Sequence, residues 1–293
     1  MLTISGLSKT YAGGVRALDD VSLEIPKGMF GLLGPNGAGK STLMRTLATL
    51  QDADSGSIHF DGIDVGSAKL ELRKQLGYLP QEFGAYPRTS PEVMLAHFAA
   101  LKGIHGAERR VVVRDLLVRT RLWDVRKRSI DTFSGGMRQR YGVAQALIGQ
   151  PRLLIVDEPT AGLDPVERRR FQNLLSEVGE DVVVILSTHI VDDVAALCTR
   201  VAIMAAGRIL RVGEPHVLTA ELDGRLWSAA VDKADIERLR ATRTIISTRI
   251  AAGRTEVRVL ADAAPAGMNV ARPTLEDVYF VTLQEHGIDT SAA

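Results

Sequence analysis

The stretch Gly34-Pro35-Asn36-Gly37-Ala38-Gly39-Lys40-Ser41-Thr42 has the residue types and spacing of a loop built to hold phosphate, G-x-x-x-x-G-K-[ST]. Its glycines let backbone N–H groups turn inward around an anion, and a helix beginning at the lysine adds its positive end. Lys40 would reach the β and γ phosphates of a nucleotide, and the Ser41 hydroxyl would ligate Mg²⁺. Farther along, Leu153-Leu154-Ile155-Val156-Asp157-Glu158 is an apolar run ending in two carboxylates. Asp157 suits Mg²⁺, directly or through water, and Glu158 could orient and deprotonate an attacking water.

These groups need elements to hold them. Leu2 to Leu7, Ala17 to Ile25 and Met29 to Leu33 read as strands. Lys40 onward has helical spacing, with Leu43, Leu47 and Leu50 on one face. From about Pro91 to Gln150 the pattern is helical, including Pro91 to Lys102, Glu108 to Arg119 and Gly136 to Ile148. Leu153 to Val156 and Val182 to Leu186 are near-continuous apolar runs, as expected of parallel strands buried on both faces. Buried strands separated by helices predict an α/β core with a helical insert. Past Gly213-Glu214-Pro215 come a strand at Leu226 to Val231, a helix at Ala234 to Arg240, and a hairpin from Thr244 to Leu260 turning near Gly253. Thr274-x-x-Asp277 has the form of a capping box for a last helix, with Leu275, Val278, Tyr279 and Leu283 as its stripe and Gly287 as its stop.

Composition narrows the function class. The 293 residues are 45% apolar and 24% charged, and 36 Lys+Arg against 35 Asp+Glu give a net charge of +1. That is an ordinary globular composition, without the basic excess of a dedicated nucleic-acid binder. Cys198 is the single cysteine, so no intramolecular disulfide framework exists. No stretch reaches the roughly 20 apolar residues that span a bilayer, and no signal peptide is visible at the N-terminus. The expectation is a cytoplasmic chain whose membrane role comes through a partner. The six histidines include no i,i+3 or i,i+4 pair, so no local metal cluster is expected from them.

A third motif, Phe133-Ser134-Gly135-Gly136-Met137 followed by Gln139-Arg140, lies 23 residues before Asp157, counted from Ser134. Together with the phosphate loop and the paired carboxylates, it resembles the signature of the ATP-binding-cassette ATPases, usually written LSGGQ. Phe133 stands for Leu and Met137 for Gln, while the Ser-Gly-Gly heart is intact. The resemblance covers about residues 1 to 213. It implies that Tyr11 stacks on adenine and that Gln81 senses Mg²⁺ and the attacking water and couples to a membrane partner. Asp164, in Gly162-Leu163-Asp164, would contact the opposite subunit. His189, in Ser187-Thr188-His189, would hold the γ-phosphate and position Glu158.

The fold implied is a P-loop NTPase of the ABC-ATPase type, with a mixed β-sheet core, an antiparallel β edge and a helical signature subdomain at about 83–150. A small α+β extension would occupy 214–293. ATP and Mg²⁺ are the implied ligands. Each ATP would lie between the phosphate loop of one subunit and Ser134, Gly135 and Gly136 of another, so a homodimer is expected. The engine would drive a permease on a separate chain, at the cytoplasmic face of the membrane. Chromosome or repair ATPases usually split the two half-sites with a long insertion, whereas 94 residues separate Lys40 from Ser134. Translation factors usually carry two cassettes in one chain, and this chain has one. The soluble, non-transport ATPase is therefore the alternative, and no nucleic acid is expected. Pro273-Thr274-Leu275-Glu276-Asp277-Val278-Tyr279 resembles the tail of ATPases serving drug, antibiotic or polysaccharide exporters of the daunorubicin-resistance type, which points to export of a drug-like, lipid or other hydrophobic substrate. Glu108 to Arg128, with eight Arg/Lys against three acids, is a solvated face or a surface for acidic permease loops or lipid headgroups.

Overall fold

Alternating burial along Leu2–Thr10 and Arg16–Ile25 folds these segments as antiparallel strands β1 and β2, with Leu2, Ile4, Leu7, Leu18, Val21, Leu23 and Ile25 turned inward. The computed structural model describes the chain except for residues 82, 83, 85–87, 180, 252 and 289–293. The expected start of the helical part at residue 83 and the tip of the tail therefore lie outside the described residues. In chain order there follow β3 (Gly28–Leu33), α1 (Lys40–Leu47), β4 (Ser55–Phe60), β5 (Ile63–Asp64), α2 (Lys69–Gln75) and β6 (Leu76–Leu79). Then come α3 (Pro91–Leu101), α4 (Gly106–Arg119), α5 (Gly135–Ala146), β7 (Leu153–Asp157), α6 (Pro165–Val178), β8 (Val183–Thr188) and α7 (Val191–Leu197). The chain continues through β9 (Arg200–Ala205), β10 (Arg208–Gly213), α8 (Pro215–Ala220), β11 (Leu226–Val231), α9 (Lys233–Thr242), β12 (Ile245–Ala251), β13 (Arg254–Leu260), β14 (Asn269–Val270) and α10 (Leu275–Glu285).

Two compact units result. The first takes Met1–Thr199 and Met204–Ile209, the second Arg200–Ile203 and the chain from Leu210 onward. In the first, β3, β8, β7 and β6 lie side by side in that order and pair in parallel. Every residue of β7 and β8 is buried, which is why both read as continuous apolar runs. The strands β2-β1-β4-β5, in that order, form a separate antiparallel sheet. The helical part contains α3 and α4, with α5 following. Ser90 caps α3 and Ser134 caps α5 through their hydroxyls.

Two sequence expectations shift. The stripe of α1 buries Leu43, Met44 and Leu47 but not Leu50, which is 62% exposed. The helix stops at Leu47 because Thr49, at φ 58, turns the chain out of register. β1 runs on to Thr10 rather than ending at Leu7, because irregular register beyond Ile4 lets it keep pairing with β2 despite the polar Ser8-Lys9-Thr10.

The second unit pairs β12-β13-β11-β14 antiparallel, with Leu226 opposite Leu260 and Trp227 opposite Val270. The hairpin turns at Gly253, where φ is +79. α10 begins with the expected capping box: Thr274 Oγ1 accepts from the Asp277 amide at 3.4 Å, and Asp277 Oδ2 accepts from the Thr274 amide at 2.8 Å. Asp277, 2% exposed, also pairs with Arg258 of β13. Among the described residues, no helix is long and apolar enough to cross a membrane.

Removing Arg258 leaves Asp277 charged, buried and short of a partner. Arg258→Met should destabilise this unit by about 3–5 kcal/mol, and Thr274→Ala by about 1 kcal/mol for the lost cap. Urea unfolding followed by the fluorescence of Trp227 in a Trp123→Phe background measures both; equal midpoints for parent and Arg258→Met would remove the ion pair from the fold's support.

Candidate functional site

Parallel pairing carries four strand ends to one edge of the sheet. Leu33 lies beside Thr188, Asp157 beside Ser187, and Leu79 beside Val156. The phosphate loop follows β3, Glu158 follows β7, His189 follows β8, and Gln81 comes two residues past β6. Ligands of open α/β sheets sit beyond the carboxyl ends of the strands, and here the candidate residues issue from those ends.

The loop's course depends on its glycines. Gly39 holds φ +104, and a Cβ there would run into the carbonyl of Ala17. Ala38 is buried and its carbonyl accepts from the Gly207 amide at 3.0 Å, anchoring the loop's base, while Asn36 and Gly37 are exposed. Lys40 opens α1 and is 6% exposed. Its Nζ donates to the carbonyls of Gly34, at 2.6 Å, and Pro35, at 3.2 Å. Burial lowers the Lys40 pKa from the ordinary 10.5, against the pull of Glu158 and Asp157. Ser41 and Thr42 are half-buried on the first turn of α1.

Glu158 is 8% exposed and bridges two partners. Its Oε1 lies 3.7 Å from Lys40 Nζ, and its Oε2 lies 2.7 Å from His189 Nδ1. Its backbone sits at φ 48, uncommon for any residue but glycine and more so before a proline, here Pro159. Strain of this kind persists only where surroundings over-determine it. The Glu158 amide donates to Ser187 O at 2.8 Å, so β8 supplies one such hold. Asp157, 3% exposed, has an Oδ1 with no hydrogen-bond partner among the described residues. A buried carboxylate oxygen left open fits a cation, and Asp157 with the hydroxyl of Ser41, next to Lys40 on α1, is a donor set that suits Mg²⁺.

Tyr11 is 38% exposed, with its hydroxyl 2.9 Å from Gln51 Oε1 and 3.3 Å from Thr42 Oγ1. Its ring is thereby tied to the helix that begins at Lys40. Gln51 belongs to no motif, yet its amide also donates to Thr42 O at 3.1 Å and Thr46 Oγ1 at 3.0 Å. Only its place just past α1 could have marked it.

The remaining candidates form a second cluster. Ser134, exposed, caps α5 by accepting from the Met137 amide at 3.3 Å. Gly135 is exposed, whereas Gly136 is buried against Glu167 of α6, where a Cβ would come 2.7 Å from the glutamate side chain. Glu167 also faces Arg140 of α5 at 3.4 Å. Asp164 caps α6, its Oδ1 accepting from the Val166 and Glu167 amides, each at 2.9 Å. No hydrogen bond or ion pair among the described residues joins this cluster to Lys40, Glu158 or His189. Gln81 is exposed.

A phosphate loop at the tip of a parallel sheet, an acidic strand end and a separate Ser-Gly-Gly helix cap define an ATP-binding cassette. The chain belongs to the ABC transporter family, whose pattern matches residues 18–161. It is 32% identical over 299 residues to the daunorubicin resistance ATP-binding protein DrrA3 of Streptomyces coeruleorubidus, covering 95% of this chain and 94% of that one. It is 38% identical over 228 residues to the "Probable multidrug ABC transporter ATP-binding protein YbhF" of Escherichia coli (strain K12), covering 77% of this chain but only 39% of YbhF's length. A solved structure of the ATP-binding subunit of an ABC transporter superposes with a TM-score of 0.68 at 28% identity, covering 75% of this chain and 92% of the other.

Two measurements probe the site. A lysine ammonium can hold phosphate only while protonated, so if Lys40 takes that part, ATP affinity should be full below its lowered pKa and fall as pH rises through it, beginning below 10.5. Titration with a fluorescent ATP analogue across that range reads this, and Lys40→Arg should flatten the curve. Tyr11→Ala should weaken ATP binding by about 1–3 kcal/mol, the usual loss of a base-stacking ring; unchanged affinity would return Tyr11 to a purely structural place.

Proposed function

We propose that this chain is the ATP-hydrolysing, nucleotide-binding subunit of a membrane transporter, working as a homodimer that closes around two ATP molecules and drives a permease on a separate chain. The observation that carries the reading is the contact between Glu158 and His189, held at the same sheet edge as Lys40. Hydrolysis needs a base beside the γ-phosphate, a cation on the phosphates and a group that fixes the base, and these three side chains supply that set.

In the proposed reaction Tyr11 stacks on the adenine, the loop from Gly34 to Thr42 wraps the phosphates, and Lys40 offsets the charge of the β and γ groups. Glu158 orients a water and takes its proton as the water oxygen bonds the γ-phosphorus. The bond from that phosphorus to the β-bridging oxygen breaks, and ADP and phosphate leave. His189 holds Glu158 and faces the γ-phosphate. Ser41, Asp157 and Gln81 would hold Mg²⁺, which when bound neutralises charge on the β and γ oxygens. Ser134, Gly135 and Gly136 of the opposite copy would cap the γ-phosphate from a helix N-terminus, with Asp164 at the subunit contact.

The catalytic cassette is assigned to residues 1–213 and a small α+β extension to 214–293. Export of a drug-like, lipid or other hydrophobic substrate is favoured by likeness, across nearly the whole chain, to a protein named for daunorubicin resistance. A groove of about 1330 Å³ between α2 and the helical part, bordered by the exposed Leu70, Leu101, Val111 and Val118, is lined by five Lys/Arg (Arg73, Lys74, Lys102, Arg114 and Arg119) against Glu71, Glu108 and Asp115, which favours a permease segment carrying apolar and acidic side chains. Binding there would hold the chain at the cytoplasmic face of the membrane.

Glu158→Gln keeps the shape and loses the base. It should abolish ATP hydrolysis, retain ATP binding, and accumulate an ATP-dependent dimer in light scattering. Turnover at the parent rate would remove Glu158 from this role. Co-purification of the tagged chain with a polytopic membrane protein supports the transporter; recovery only with ribosomes or nucleic acid overturns it.

A further inference from the structure

Glu158 and His189 lie on segments that leave the neighbouring strands β7 and β8. Beyond the strand ends, Glu158 leads through Pro159 into the loop before α6, and His189 leads into α7. The contact between them involves a histidine side chain that is 50% exposed, which is a weak hold on two chain segments. A second cross-link lies behind it. Asp193 of α7 is completely buried, and its carboxylate accepts from three donors. Thr160 donates its hydroxyl to Oδ2, while Arg168 Nε, at 2.6 Å, and Gln172 Nε2, at 2.8 Å, donate to Oδ1. Thr160 is two residues past Glu158, Asp193 is four past His189, and Arg168 and Gln172 sit one turn apart on α6.

We propose that Asp193 is a positioning residue: with Thr160, Arg168 and Gln172 it clamps the Glu158 segment and α6 to the His189 segment, and so fixes the carboxylate–imidazole contact on which hydrolysis depends. The proposal rests on the assignment of Glu158 as base. Three features require such a clamp. Glu158 keeps an unfavourable φ of 48, which needs hold from both sides: Ser187 supplies it on the strand, and Thr160 supplies it after the proline. A carboxylate fully removed from water is stable only when paired and hydrogen-bonded, so the four groups keep one arrangement rather than many. The clamp also reaches α6, whose N-terminal Glu167 packs on Gly136, so the Ser-Gly-Gly cap of α5 and the base are linked through one helix. Thr160, Arg168, Gln172 and Asp193 make none of these contacts with the phosphate loop, so they act on the base and leave nucleotide binding to other groups.

Thr160→Val is nearly isosteric and removes only the hydroxyl, and Thr160→Ser restores it. In the full-length chain, Thr160→Val and Asp193→Ala should lower kcat for ATP by about 10- to 100-fold, the cost of misplacing a catalytic group. KM for ATP should stay within about twofold of the parent's, since the groups that bind phosphate are untouched. Thr160→Ser should recover most of the rate, and the double variant should be no slower than the slower single one. Hydrogen exchange gives a reading independent of activity: amides of residues 158–164 and 190–194 should exchange about tenfold faster in Thr160→Val, with those of 34–42 unchanged. Parent-like kcat in folded Thr160→Val, a serine variant as slow as the valine one, or unaltered exchange at 158–164 overturns the clamp. A parent chain that hydrolyses no ATP, or a Glu158→Gln variant as fast as the parent, instead overturns the base assignment, and the exchange measurement then decides the clamp alone. Melting followed by circular dichroism shows whether Asp193→Ala folds; if it does not, the two threonine variants carry the test.

Discussion

Parallel pairing of β7 with β8 on one side and β6 on the other, and of β8 with β3, is the constraint from which the site's geometry follows. β7 and β8 are buried throughout and β3 and β6 nearly so, which keeps them largely apolar until their ends. Polarity therefore concentrates at the strand tips, and parallel order brings the tips together. Asp157 and Glu158 close β7, Ser187-Thr188-His189 close β8, and the glycine loop closes β3. The helix after that loop contributes the one buried ammonium among them.

The electrostatics are those of two carboxylates and one cation in a place water reaches poorly. Burial disfavours the charged form of Lys40, and the two acids work against that penalty. The lysine spends its hydrogen-bonding capacity on the carbonyls of its own loop, which shapes the loop as well as charging it. Asp157 keeps an unshared oxygen among the described residues, and Glu158 divides its two oxygens between a lysine and a histidine. Neighbouring acids in one chain thus face different partners, which is what lets adjacent positions take different parts in a reaction.

Sequence patterns are informative where structure is local or where burial is uniform. Leu153 to Val156 and Val182 to Leu186 announce buried strands because nothing but apolar residues can occupy them, and the capping box at Thr274 and Asp277 is written within four residues. The polar start of β4, Ser55-Gly56-Ser57, hides a strand because those residues pair with β1, far back in the chain, while only its end pairs with β5 beside it in sequence. α7 has only seven residues, with paired aspartates in its first turn, and shows no stripe to read. The links that join the site's parts are the least legible. Gln51 meets Tyr11 from 40 residues away and Asp193 meets Thr160 from 33, distances at which spacing carries no periodic signal. Motifs mark the residues that face a ligand; the residues that hold those in place are ordinary in type and are found only by their neighbours.

The order of strands in the sheet differs from their order along the chain, and this has a bearing on synthesis. β3, which leads into the phosphate loop, completes its parallel pairing with β8 through register partners such as Gly28 and Val183, separated by most of the first unit. Loop closure over such a span is slow compared with helix or hairpin formation. While the chain emerges from the ribosome, β1 and β2 can pair early, but the edge of β3 must wait until Val183–Thr188 has been made. During that interval an apolar strand edge and the glycine loop beside it lie open to other chains. A nascent polypeptide stalled in the helical part would carry the most conspicuous motif of the protein without the strand that shields it, and would be a natural client for chaperones.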